Sequence, residues 1–103
     1  MDILQLRYFY DSANYLSISK TAKKYGVPAT SVSASIRRLE EELDCRLFDR
    51  TPNRILLNEK GIVMRDSLKR IFNEMDSMLK AVSGSVDDQK EIKILVKAIR
   101  TLV

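Results

Sequence analysis

Three features of this sequence predict a mainly α fold: a winged helix-turn-helix of three helices plus a small β-hairpin, followed by a long helix. Within residues 17–42 two helical stretches flank a tight turn at Tyr25-Gly26-Val27. Two short extended runs, 46–50 and 55–57, then flank a turn at Thr51-Pro52-Asn53-Arg54. From Asn58 a single amphipathic pattern continues to Val82. The chain divides accordingly into 1–58, the winged domain; 59–82, a linker helix suited to dimerisation; and 83–103, a hinge and tail.

Asp2 is placed to cap a first helix that runs to about Leu16, with Leu6, Phe9, Ala13 and Leu16 on its core face. Tyr8, Tyr10 and Tyr15 lie on the same helix. Set among Leu and Phe at helical spacing, they read as packing residues with a wet hydroxyl rather than as stacking platforms for bases. Ser17-Ile18-Ser19 follows; Ser19 is expected to cap the second helix, while Ile18 plugs the gap between the first two helices. A capped helix start presents N–H groups and a partial positive charge to a phosphate, with Ser17 and Lys20 beside it.

Pro28 precedes the third helix, where its missing N–H is harmless. In that helix, 29–42, Val32, Ile36, Leu39 and Leu43 form an inward stripe. Thr30, Ala34, Arg37 and Arg38 therefore face out, flanked by Ser31 and Ser33. No acidic residue occurs between Ser12 and Leu39, whereas Lys20, Lys23, Lys24, Arg37 and Arg38 lie within that stretch. The acids Glu40, Glu41, Glu42 and Asp44 begin only where the helix would leave a DNA groove. A second helix with small polar residues near its start and guanidinium groups further along suits the major groove.

The hairpin would carry Asn53 and Arg54 at its tip, within reach of a neighbouring minor groove or its phosphates, with Arg50 also placed for a backbone contact. A plain solvent-exposed hairpin is the alternative. Asn58 caps the fourth helix, in which Met64, Leu68, Ile71, Met75, Met78 and Val82 alternate spacings of four and three while Phe72 and Leu79 widen the stripe. So long a stripe predicts pairing with a second copy of the chain through an adaptable, Met-rich surface. The alternative is that it folds back on its own domain, as its first turn is expected to do through Ile62 and Val63. Ser83-Gly84-Ser85 ends the helix, 86–89 reads as a hinge, and 91–103 fits either a strand or a helical face. Helix is favoured there, because a lone strand has nothing to pair with.

Composition narrows the function. The 103 residues suffice for one small domain with an appendage, and the formal charge of +4 suits a polyanion. With no histidine and a single cysteine, Cys45, the commonest general base, an internal disulfide and a thiolate metal cluster are all excluded. Cys45 reads as a small buried apolar residue. No Gly-rich phosphate loop or carboxylate pair replaces the missing chemistry, so no enzyme, catalytic residue, metal or cofactor is expected. No apolar run approaches the roughly 20 residues that span a bilayer, and the N-terminus lacks an export pattern. A cytoplasmic protein with no membrane partner is expected.

At LQLRYFYDSANYLSISKTAKKYGVPATSVSASIRRLEEELDCRLFDR and then RILLNEKG, the chain resembles the N-terminal DNA-binding domain of LysR-type transcriptional regulators. The resemblance covers residues 1–82 and rests on the spacing from Ser-x-Ser-x-x-Ala through Ile-Arg-Arg-Leu-Glu-Glu-Glu-Leu to Leu-Phe-Asp-Arg. It implies a bacterial repressor or activator that binds double-stranded DNA in a sequence-specific manner as a homodimer, and as a tetramer in a full-length form.

Combined with the helical wheel, it points to Ala29, Thr30, Ser33, Ala34, Arg37 and Asn53 as base-contacting. Ser17, Ser19, Lys20, Ser31, Arg38, Arg50, Thr51 and Arg54 would contact phosphates. Met64, Leu68, Ile71, Phe72, Met75, Met78, Leu79 and Val82 would form the dimer interface. The sequence departs from the family in carrying Ala29 and Thr30 where Gln-Pro is usual, and Ala34 where a long polar residue is frequent, which thins the direct readout. Family members continue into an effector-binding domain of about 200 residues, which needs its own core. This chain reaches only the start of that domain, so no effector ligand is expected to bind it. The rival reading is a winged-helix protein–protein adaptor, against which the acid-free outer face argues.

Overall fold

The computed structural model describes residues 1–84; the hinge at 86–89 and the strand-or-helix tail at 91–103 lie outside the described residues. In chain order the elements are α1 (Ile3–Tyr15), α2 (Ile18–Tyr25), α3 (Ala29–Leu43), β1 (Phe48–Thr51), β2 (Arg54–Leu57) and α4 (Glu59–Ser83). The winged helix-turn-helix is thus present, with its long fourth helix. Its core is built where α1, α3 and the base of the hairpin meet: Phe9, Val32, Ile36, Leu39, Leu47 and Phe48 are all buried. The Phe9 and Phe48 rings lie 5.4 Å apart. Each such side chain contributes about 1.5–3 kcal/mol by leaving water.

Asp2 caps α1 through a reciprocal pair of bonds: Gln5 N–H donates to Asp2 Oδ1 at 2.7 Å, and Asp2 N–H to Gln5 Oε1 at 3.4 Å. The other end of Gln5 donates from Nε2 to the Ser35 carbonyl at 3.0 Å, tying α1 to α3. Tyr8 meets Tyr25 edge-on, and Tyr10 meets Phe72 in the same way. Leu16 departs from expectation. It takes the left-handed cap conformation at φ 49°, and the reversal turns its side chain to solvent instead of the core.

The cap of α2 is Ser17, not Ser19: Lys20 N–H donates to Ser17 Oγ at 3.1 Å. Ser17 stands in extended backbone at the corner, whereas Ser19 is already inside the helix. Gly26 closes α2 at φ 64°, with no neighbour near its missing Cβ. The turn therefore needs glycine for backbone freedom, not for space. The α3 stripe frays at its last member, Leu43, which is exposed where Asp44 ends the helix in left-handed backbone. Cys45 is half-buried rather than enclosed.

The hairpin is tighter than its sequence suggests. Phe48 pairs with Leu57 and Thr51 with Arg54, so only Pro52 and Asn53 form the loop. Asn58 caps α4 by accepting from Gly61 N–H at 2.9 Å. Gly61 is the residue that docks the first turn of α4, because a Cβ there would collide with the Leu47 carbonyl and the Leu57 side chain. Ile62 and Val63, expected to do this, are exposed.

The expected dimer stripe of α4 is split by its own domain. Leu68 and Phe72 are 3% and 4% exposed within the core, with Met64 and Met75 packed at its edge. Leu79 is buried as well, while Ile71, Met78 and Val82 remain exposed at 49%, 50% and 82%. Phe72 is gripped from α1, where the Arg7 guanidinium lies 3.8 Å above its ring centroid.

Candidate nucleic-acid interface

Complete burial of Val32, Ile36 and Leu39 sets the rotation of α3 and leaves Ala29, Thr30, Ser31, Ala34, Arg37 and Arg38 exposed, with Ser33 at the edge. Pro28 offers no side-chain cap, so among the described residues the first N–H groups of α3 have no side-chain acceptor. Small side chains beside such donors permit close approach of an anion or a base edge.

The surrounding charges divide into committed and available ones. Lys24 is held by Asp11 at 3.1 Å, and the same carboxylate accepts the Tyr25 hydroxyl at 2.6 Å. Arg50 is held by Glu40 at 2.8 Å. By contrast Lys20, Lys23, Arg37, Arg38 and Arg54 are exposed and make no ion pair among the described residues. The Thr51 hydroxyl is also committed: it donates to the Arg54 carbonyl at 2.9 Å and accepts the Arg54 N–H at 3.2 Å. Of the residues expected to meet phosphates, Arg50 and Thr51 therefore build the wing. Ser17, Ser19, Lys20, Ser31, Arg38 and Arg54 stay accessible or partly so, as does Asn53 at the wing tip.

Sequence reasoning missed Glu40 except as the place where acids begin. Its side chain is 8% exposed, and its carboxylate accepts from Leu47 N–H at 2.7 Å, Phe48 N–H at 3.4 Å and Arg50. Burial opposes the charge, but the bonds from Leu47, Arg50 and Phe48 outweigh it and hold the carboxyl below the ordinary glutamate range. The available signal was its position beside Leu39, at the edge of the inward stripe. Between the end of α3 and the wing lies a groove of about 440 Å³, lined by Arg37, Arg46 and Arg50 together with Glu41 and Asp44. Among the described residues no helix is long and apolar enough to cross a membrane.

Residues 3–62 match the family described as bacterial regulatory helix-turn-helix protein, lysR family. The HTH-type transcriptional activator AmpR of Providencia stuartii is 35% identical over 74 residues, covering 72% of this chain and 25% of that protein. The uncharacterized HTH-type transcriptional regulator YfeR of Shigella flexneri is 31% identical over 98 residues, covering 95% and 32%. The chain thus spans about a third or less of the length of these relatives. Among solved structures, the BenM DBD/catB site 1 DNA complex superposes with a TM-score of 0.76 at 25% identity, covering 81% of this chain and 92% of that one. Full-length CbnR complexed with its target DNA gives 0.67 at 26% identity, covering 82% and 27%. The chain belongs to the lysR family of bacterial regulatory helix-turn-helix proteins.

Proposed function

We propose that this chain binds double-stranded DNA in a sequence-specific manner, as the DNA-binding part of a cytoplasmic transcriptional regulator. In this reading α3 lies in the major groove, with Ala29, Thr30, Ser33, Ala34 and Arg37 toward base edges. The wing brings Asn53 and Arg54 to the adjacent minor groove. Ser17, Ser19, Lys20, Ser31 and Arg38 meet the phosphates. The observation that carries it is the outer face of α3, exposed from Ala29 to Arg38 and accompanied by five basic side chains uncommitted within the described residues. The likeness to BenM and CbnR, both solved on DNA, supports the same docking.

The active species is a homodimer paired through α4, with Ile71, Met78 and Val82 at the centre of the contact and the partly buried Met64 and Met75 beside it. Two-fold pairing would present two recognition helices to two half-sites.

Fluorescence anisotropy on a labelled duplex tests the DNA reading. With one counterion released for each of the five uncommitted basic side chains as an upper bound, log K should fall with log salt at a slope of up to about 4.5 per protomer. A protein that does not bind duplex DNA at moderate salt, or binds it independently of salt, is an adaptor or something else.

A further inference from the structure

We propose that Glu40 is a positioning residue for the wing, fixing the angle at which the hairpin leaves the recognition helix and hence where Asn53 and Arg54 meet DNA. This rests on the DNA-binding reading above. Glu40 belongs to α3, yet all three groups that donate to its carboxylate belong to the start of the wing. Two of them are the backbone N–H groups of Leu47 and Phe48, so the carboxylate constrains the path of the chain and not merely a side chain. The third, Arg50, lies within β1.

The opposite side of the same segment is held from the cap of α4: Asn58 Nδ2 donates to the Arg46 carbonyl at 2.8 Å, and Asn58 N–H to the Leu47 carbonyl at 3.1 Å. Leu47 and Phe48 are themselves buried. The base of the wing is thus clamped between recognition helix and linker helix, while its tip is free.

Lever geometry makes that clamp matter. Phe48 to Thr51 is three strand rises of about 3.4 Å and the two-residue turn adds a little more, so the tip lies roughly 12 Å from the pivot at Phe48 and a 10° tilt carries it roughly 2 Å. A hydrogen bond does not survive such a displacement. A carboxylate suits the position because three donors converge on it and it carries no proton of its own; an amide there would turn an NH₂ toward one of them.

The test is a double-mutant cycle on DNA affinity. The unmodified chain, Glu40→Gln, Arg54→Ala and the double variant are each confirmed folded by circular dichroism, then titrated onto one duplex at one salt concentration. Arg54→Ala is expected to weaken binding by roughly tenfold per protomer in the unmodified chain, the loss of one charged hydrogen bond in each. In the Glu40→Gln background the same change should weaken it less than twofold, because the guanidinium is already out of reach. An equal loss in both backgrounds overturns the positioning role and leaves the DNA reading standing. No loss in the unmodified chain removes the wing contact itself, and the proposal with it. Should Glu40→Gln not fold, Glu40→Asp takes its place under the same criterion, since it keeps the charge but draws the carboxylate back from the Leu47 and Phe48 N–H groups.

Discussion

Leu68 and Ile71 stand three residues apart on the same apolar pattern, and the structure assigns them opposite consequences. Leu68 is 3% exposed within its own protomer, whereas Ile71 is 49% exposed. Leu68→Ala empties a filled site and should cost about 2–5 kcal/mol. For a domain of this size each kcal/mol lowers Tm by about 4–8 °C, so the loss in Tm is at least about 8 °C. Ile71→Lys touches only surface in the isolated protomer and should change its stability by no more than about 0.5 kcal/mol. In the proposed dimer the exposed half of Ile71 would become buried, worth roughly 1 kcal/mol per protomer. Two-fold symmetry counts this twice, so dimerisation should weaken by at least about 30-fold, with two facing ammonium groups adding to it. Thermal melts at a concentration where the protomer dominates, combined with sedimentation velocity over a concentration series, separate the two effects. The reasoning is refuted if Ile71→Lys leaves the association constant unchanged, or if it lowers the protomer Tm as far as Leu68→Ala does.

Base readout by α3 should be weak and rich in thymine. Neither Thr30, Ser33 nor Ala34 can form the bidentate pairs that Arg makes to guanine or Gln to adenine, each of which is worth about 1–3 kcal/mol of discrimination. Selection from a randomised half-site library should show a modest preference for T that Thr30→Ala relaxes at one position, while Ala34→Arg adds a guanine requirement at another. Several strongly required G·C pairs beneath Thr30, Ser33 and Ala34 would contradict this. Acid should also loosen the wing clamp. Because the folded Glu40 carboxyl sits below its unfolded value, it binds a proton less readily in the folded chain. Its contribution to stability is thus complete above about pH 4.3 and fades as pH falls through the lower folded value. Urea unfolding across this acid range should fall less steeply for Glu40→Gln than for the unmodified chain; parallel curves would assign the acid sensitivity to other groups.

Elements governed by neighbours in the chain were readable from the residues alone. The inward face of α3, the glycine turn, the Asp2 and Asn58 caps and the existence of a wing all follow from local periodicity and backbone chemistry. Local competition still hides details. Ser17 and Ser19 are equally good capping types, and only the backbone corner at Ser17 selects between them. In the wing, the Thr51 hydroxyl closes on Arg54 and reduces an apparent four-residue turn to two.

The pattern of residues alone specifies which side chains must leave water and which elements carry them. A hydrophobic stripe specifies burial without naming the surface that supplies it, because burial of apolar area is non-directional. It took the folded chain to show that Leu68 and Phe72 are covered by its own core, Phe72 beneath Arg7 and Tyr10, while Ile71, Met78 and Val82 are left exposed. The same holds for charge. The basic residues expected to meet DNA were visible at once, but Arg50 and Lys24 are taken up by Glu40 and Asp11, ten and thirteen residues away in sequence. Those pairings arise when the wing folds against α3 and α2 packs on α1, and long-range proximity of that kind leaves no periodic trace in a single sequence.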